Sequence, residues 1–214
     1  WSARTPLWFG DVIEAGGGKV LSKMNFSFGT SDWSPQIAEM KALNNEIDAI
    51  YISSIMPDIA VLIRQMRSAG IDAWVEGTKG INDQTMEATS SDDPSIIDKV
   101  FFATLAASHA DSAVVKFMAD CKAIGIDVPG LFPATGADTV MAVAFGVEQS
   151  GSTDPAAIAE AIRNADSLPV LTVDSISFKS TRTYAQRTIP VIGFKDGKRV
   201  LISNVIPDNV PMDW

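Results

Sequence analysis

A few short stretches hold residue types whose spacing could do chemistry. Gly16-Gly17-Gly18-Lys19 has the composition of a phosphate-cradling loop. The spacing fails: such a loop needs glycine at position 13 and a hydroxyl at position 20, where the chain has Ile13 and Val20. It also precedes a strand pattern rather than a helix, so it reads as a helix stop. Ser53-Ser54 ends one apolar run and precedes a helix start. It lacks the flanking glycines of a nucleophile elbow, which leaves a ligand-facing or a loop-capping role. Gly77-Thr78-Lys79-Gly80 follows the next apolar run. A lysine in a glycine-flanked loop there either faces an anion or is a solvated surface lysine. Ligands of open α/β sheets bind outside the carboxyl ends of the strands, so both stretches fall where a ligand would sit. Asp92-Asp93 has too few oxygen ligands for a calcium loop and reads as a solvated capping pair.

Nucleophilic and metal chemistry find little support. The single cysteine, Cys121, lies in a helical pattern and reads as a small buried hydrophobe. The single histidine, His109, serves no nucleophile motif. A zinc site of the His/Cys type cannot be assembled from these two. Trp33 and Trp74 read as packing residues.

The elements that hold these stretches follow from periodicity and caps. Thr5-Pro6 is a helix start, with a capping hydroxyl and proline at the first helical position, and the helix runs to about Ala15. Lys19 to Phe28 alternates as a half-buried strand does. Ser34-Pro35 opens a helix that Asn44-Asn45 closes. Asp48 to Ile52 is an apolar run expected for a strand covered on both faces. Pro57-Asp58 opens a helix ended by Gly70, Ala73 to Val75 is a strand, Asp83 to Ala88 a short helix, and Val100 to Leu105 a strand. Such alternation predicts βαβ units and a parallel sheet. From Asp111 to Ala165 three helices follow, about Asp111–Ile124, Ala137–Gln149 and Pro155–Asn164, the second and third apolar on wide faces that need a covering surface. Ser175 to Phe178 is a strand. Ile189 to Phe194 and Arg199 to Val205 form a hairpin about Asp196-Gly197.

Composition narrows the partners. The 214 residues carry a net charge of −9 and a pI of about 4.5, a field that repels nucleic acid and anionic membranes. No apolar run reaches the ~18 residues of a membrane span, so direct membrane insertion is not expected. The chain opens at Trp1, inside a helical pattern and without a signal peptide. Further polypeptide is therefore expected ahead of it.

The order of motifs resembles one family. Asp32-Trp33-Ser34, Asp48-Ala49-Ile50-Tyr51, Pro57-Asp58, Leu62-Ile63-Arg64-Gln65 and Ala69-Gly70 are similar to the leucine-binding-protein type of solute-binding protein from branched-chain amino-acid ABC transporters. Gly136 to Val140, Gly151 to Pro155, Ile176-Ser177-Phe178 and Phe194 to Gly197 continue the resemblance over nearly the whole chain. The resemblance implies an α/β, type I periplasmic-binding-protein fold: a parallel sheet flanked by helices, here truncated at the amino terminus. It implies a second-lobe α/β domain over 1–107 that lacks its first strand, helices returning to the first lobe over 108–172, and carboxy-terminal strands and a hinge crossing over 173–214. The hinge is expected near Leu105 to Ser108.

The resemblance also implies a function. A periplasmic or extracellular receptor, lipid-anchored or free, would trap a small molecule between two lobes and dock with a membrane permease. It would need no cofactor or metal and would not be an enzyme. A sensory ligand-binding module of the same fold is the alternative. Three second-lobe positions usually touch ligand in that family. The aromatic that begins the first helix is Trp1; a tyrosine after the first of the two strands is replaced by Ile55; and an acid that pairs with the ligand's α-ammonium is replaced by Lys79. Ser54 and Met56 flank Ile55 and complete the expected contact set. Two like charges ~4 Å apart cost about 4 kcal/mol at an effective dielectric near 20. A small amino acid or an organic carboxylate is therefore the expected class of ligand, and the lysine favours a carboxylate without a free α-ammonium.

Overall fold

The computed structural model describes residues 3–43, 46–83, 85–110, 112–128, 132–174, 176–182 and 184–207. The chain forms two compact units. The first comprises Trp1–Ala103 with Gly193–Val200, and the second Thr104–Ile192 with Leu201–Trp214.

In the first unit, helices α1 (Thr5–Ala15), α2 (Ser34–Ala42), α3 (Asp58–Ser68) and α4 (Thr85–Thr89) alternate with strands β1 (Ala49–Ile52), β2 (Trp74–Gly77) and β3 (Val100–Ala103). β1 pairs with β2 and β2 with β3, both in parallel. Tyr51, Glu76 and Phe101 lie side by side across the three strands. The alternate residues Ile52, Val75, Val100 and Phe102 point to the opposite face and are buried, as are Ile59, Leu62, Ile63 and Met66 of α3. Apolar residues at 59, 62, 63 and 66 share one side of a helix, which is why α3 buries that side. Gly70 ends α3 in the left-handed conformation at φ 80°, which only glycine adopts without strain.

The second unit holds α5 (Ala113–Ala123), α6 (Phe132–Ser150), α7 (Pro155–Asn164) and the short antiparallel pair β4 (Ile176–Ser177) and β5 (Gln186–Arg187). Gly146 on α6 lets α7 approach: a Cβ there would lie 2.8 Å from a methyl of Ile158. β6 (Ile189–Lys195) and β7 (Lys198–Val205) belong in part to each unit and complete a five-stranded sheet of order β1-β2-β3-β6-β7. Asp196 and Gly197 join them with φ of 52° and 71°, the paired positive values of a tight hairpin turn. No helix among the described residues is long and apolar enough to cross a membrane.

Several local expectations need correction. Residues 19–28 form no strand, despite their alternation. A strand exists only when its backbone groups find a neighbour, and among the described residues none pairs with this segment or with the outer edge of β1. Thr5 does not cap α1: Arg4 occupies the cap position, and the Thr5 hydroxyl instead meets Ser53. α6 begins at Phe132, five residues before the expected start at Ala137. Cys121 is half-buried rather than buried. Trp74 is 46% exposed and packs edge-on against Phe101, with ring centroids 6.0 Å apart. Trp33 is buried as expected, against Phe26. Asp93 caps the turn at Pro94–Ile97, and Asp92 pairs with Arg64. Asp154 caps α7 by accepting from the Ala157 N–H at 2.9 Å. The closing residues of α2, Asn44-Asn45, and the expected helix and strand starts at Asp111 and Ser175 lie outside the described residues.

Arg199 fastens the returning strand to the first unit. Its Nε donates to Glu87 at 2.5 Å, its other nitrogens donate to the Asn82 side chain and the Asp83 carbonyl, and its guanidinium lies 6.0 Å from the ring centres of Phe102 and Phe194. A guanidinium so placed keeps its charge partnered while its plane covers apolar surface.

Candidate functional site

Two loops meet at the carboxyl ends of β1 and β2. The first is Ser53-Ser54-Ile55-Met56, followed by a cis peptide bond to Pro57 and the start of α3. The second is Gly77-Thr78 and the single 3-10 turn Lys79–Ile81. Parallel strands in register place both loops on the same rim.

The loops are locked to one another by Thr78 and Gly80. The buried Thr78 hydroxyl donates to the Ser54 carbonyl at 3.4 Å and accepts from the Gly80 N–H at 3.4 Å. A Cβ on Gly80 would lie 2.1 Å from the Ser54 carbonyl oxygen. Backbone cannot yield at that distance as a flexible side chain can, so Gly80→Ala must push the lysine turn away from the first loop. The expected cost is about 1–3 kcal/mol, read as a lowered urea midpoint at unchanged m-value. An unchanged midpoint would show that the loops are not in contact.

The expected contact residues divide by exposure. Ile55 is 53% exposed on the rim, while Ser54 is 1% exposed and lies beneath it. The Ser54 Oγ has no hydrogen-bond partner. Met56 and Lys79 are half-buried on either side. Trp1 lies outside the described residues. The rim thus presents an apolar side chain next to a lysine. Thr5, at the start of α1, joins the same rim through its hydroxyl, 3.0 Å from the Ser53 Oγ.

Glu76 was not singled out by its sequence, although an acid inside Trp74-Val75-Glu76-Gly77 is the available signal. It stands between Tyr51 and Phe101, and Phe9 of α1 stacks on Tyr51 with ring centres 4.5 Å apart. Burial pushes the Glu76 carboxyl up from 4.5 to about 7 and also raises the Tyr51 phenol. Between these two pH values the unfolded chain has released the Glu76 proton and the fold keeps it. The Glu76 contribution is therefore least unfavourable below pH 4.5, where both states hold the proton, and costs stability progressively as pH rises to about 7. The full shift corresponds to about 3 kcal/mol, reduced to about 1–2 by solvent screening at this half-buried site. Glu76→Gln is expected to raise the melting temperature at pH 8 and to leave it unchanged at pH 4. Equal effects at both pH values would contradict the assignment.

A profile of the periplasmic binding protein family matches residues 2–198. The chain belongs to the periplasmic binding protein family. Within it, a Pseudomonas aeruginosa protein described as leucine-, isoleucine-, valine-, threonine- and alanine-binding is 28% identical over 153 residues, 71% of this chain and 39% of that protein. A leucine-binding protein from Thermotoga maritima superposes with a TM-score of 0.74 at 24% identity, covering 96% of this chain and 57% of the other. A solute-binding protein from R. palustris, solved in complex with benzoate, superposes with a TM-score of 0.72 at 20% identity, over 95% of this chain and 55% of that one. These structures share the type I periplasmic-binding-protein fold. The chain spans 39% of the length of the P. aeruginosa relative and just over half of the two solved ones.

Proposed function

We propose that this chain is the ligand-gripping part of an extracytoplasmic solute receptor serving an ABC-transporter permease, and that it binds a small carboxylate without turning it over. The rim at Ile55 and Lys79 forms one wall of the ligand cleft, with Ser54 and Met56 contributing to it. The observation that carries this reading is the pairing of an exposed apolar side chain with a lysine at the carboxyl ends of adjacent parallel strands. An apolar contact suits an aliphatic or aromatic body, and an ammonium suits a carboxylate. A free α-ammonium would meet Lys79 with the wrong sign. A relative described as binding leucine, isoleucine, valine, threonine and alanine, and a similar fold solved with benzoate, place amino acids and amino-free carboxylates side by side as ligand classes; the lysine selects between them.

A thermal-shift panel on the 214-residue chain tests this reading. Neutral amino acids are compared with amino-free carboxylates such as benzoate and 4-methylpentanoate. A ligand at 100 times its dissociation constant adds about 2.7 kcal/mol to stability, a rise of several degrees. Stabilisation by the carboxylates alone is expected. Stabilisation by leucine, isoleucine or valine instead would assign the rim to amino acids.

A further inference from the structure

We propose that the sheet face carrying Tyr51, Trp74, Glu76 and Phe101 is a second binding site, for a small organic ammonium ion. This inference is independent of the carboxylate reading of the rim. The four residues project from one face of three paired strands. Glu76 stands in register between two aromatic residues, and Trp74 lies two residues before it on the same face. Trp74 meets Phe101 edge-on, while Tyr51 is stacked under Phe9. Among the described residues, Glu76 has no hydrogen-bond or ion-pair partner, although its neighbours half-bury it.

This arrangement is complementary to one kind of ligand. Aromatic faces attract cations, most strongly where water is partly excluded. A half-buried carboxylate without a partner gains from any cation that reaches it. An anion or a neutral polar group would gain neither contribution. Trp74 offers an open ring, whereas Tyr51 and Phe101 are half-buried. The patch therefore fits a single ammonium head rather than a helix or strand of a partner. The net charge of −9 favours approach of a cation.

The site has a built-in pH dependence. Tyr51 is the titratable neighbour across the strand, and Phe101, on the other side, has no charge. At the cap of α1 and along it, the charged residues Arg4, Asp11 and Glu14 are exposed. Burial alone accounts for the raised carboxyl of Glu76. Ammonium binding is accordingly stronger above pH 7 than below it.

The test is a titration of the 214-residue chain with tetramethylammonium chloride, followed by tryptophan indole resonances, with sodium chloride at matched ionic strength as control. At pH 8.5 a saturable, millimolar shift of one indole is expected, assigned to Trp74 by its absence in Trp74→Phe. It should weaken at least fivefold at pH 5.5 and in Glu76→Gln, and persist in Glu76→Asp. Far-UV circular dichroism verifies that each variant is folded. A shift matched by sodium chloride, one undiminished in Glu76→Gln, or no saturable shift would overturn the proposal.

Discussion

Replacing Asp138 with alanine is expected to destabilise the second unit by about 3–5 kcal/mol, the cost of removing one partner from a buried charged network. Asp138 is 7% exposed on α6. Its Oδ1 accepts from the Leu171 N–H at 2.7 Å and the Thr172 N–H at 3.3 Å, and its Oδ2 accepts from the Thr172 hydroxyl. The Thr172 oxygen in turn accepts from Arg187 at 3.3 Å, and the same Arg187 nitrogen donates to the Leu105 carbonyl. Burial lowers the Arg187 guanidinium's preference for its charge, and the Asp138 carboxylate partly restores it. Alanine would leave two backbone donors and a hydroxyl unsatisfied and a half-buried cation uncompensated. Asp138→Asn keeps the Oδ1 acceptor and is expected to cost less, about 1–3 kcal/mol. Urea unfolding monitored by circular dichroism measures both. A loss below about 0.5 kcal/mol, typical of a surface change, would show that the network does not hold the unit together.

The second large effect concerns the ligand. Lys79→Glu reverses the one charge argued to select it. The Coulomb ceiling for like charges ~4 Å apart is about 4 kcal/mol at an effective dielectric near 20, nearly a thousandfold in affinity. A flexible side chain at a half-exposed rim relaxes away from that contact, so about a tenfold to hundredfold loss of benzoate affinity is the expected outcome. Lys79→Met should lose less, because it removes the attraction without adding repulsion. Circular dichroism spectra like those of the unmodified chain would place these losses at the rim rather than in the fold.

Much of the fold was legible in the chain because its signals are local. The apolar positions of α3, the glycine stop at Gly70, the capping aspartates Asp93 and Asp154 and the Asp196-Gly197 turn each act within a few residues. What could not be read depends on distant neighbours. The alternation over 19–28 satisfies a strand pattern, but strand formation requires an adjacent strand, which periodicity cannot supply. The Thr5 hydroxyl has the right type and place to cap α1, yet it meets Ser53, 48 residues away in sequence. Arg199 looks like one more hairpin residue until Glu87 and the two phenylalanines surround it.

The candidate site divides in the same way. Its two loops could be placed at strand ends from the apolar runs that precede them, because ligands of parallel sheets gather there. Exposure could not be read so simply: adjacent residues Ser54 and Ile55 lie respectively under the rim and on it. Glu76 stayed hidden because a single acid in a short strand has no periodic signature. Its meaning comes from the aromatic residues that neighbouring strands bring beside it.

Lys79 is expected to select a carboxylate without a free α-ammonium. Isothermal titration calorimetry of the 214-residue chain with benzoate and with leucine, repeated on Lys79→Glu, tests it most directly. The predicted result is benzoate binding by the unmodified chain, no measurable leucine binding, and at least a tenfold loss for benzoate on charge reversal. Tight leucine binding by the unmodified chain, unaltered in Lys79→Glu, would contradict the claim and return the rim to amino-acid recognition.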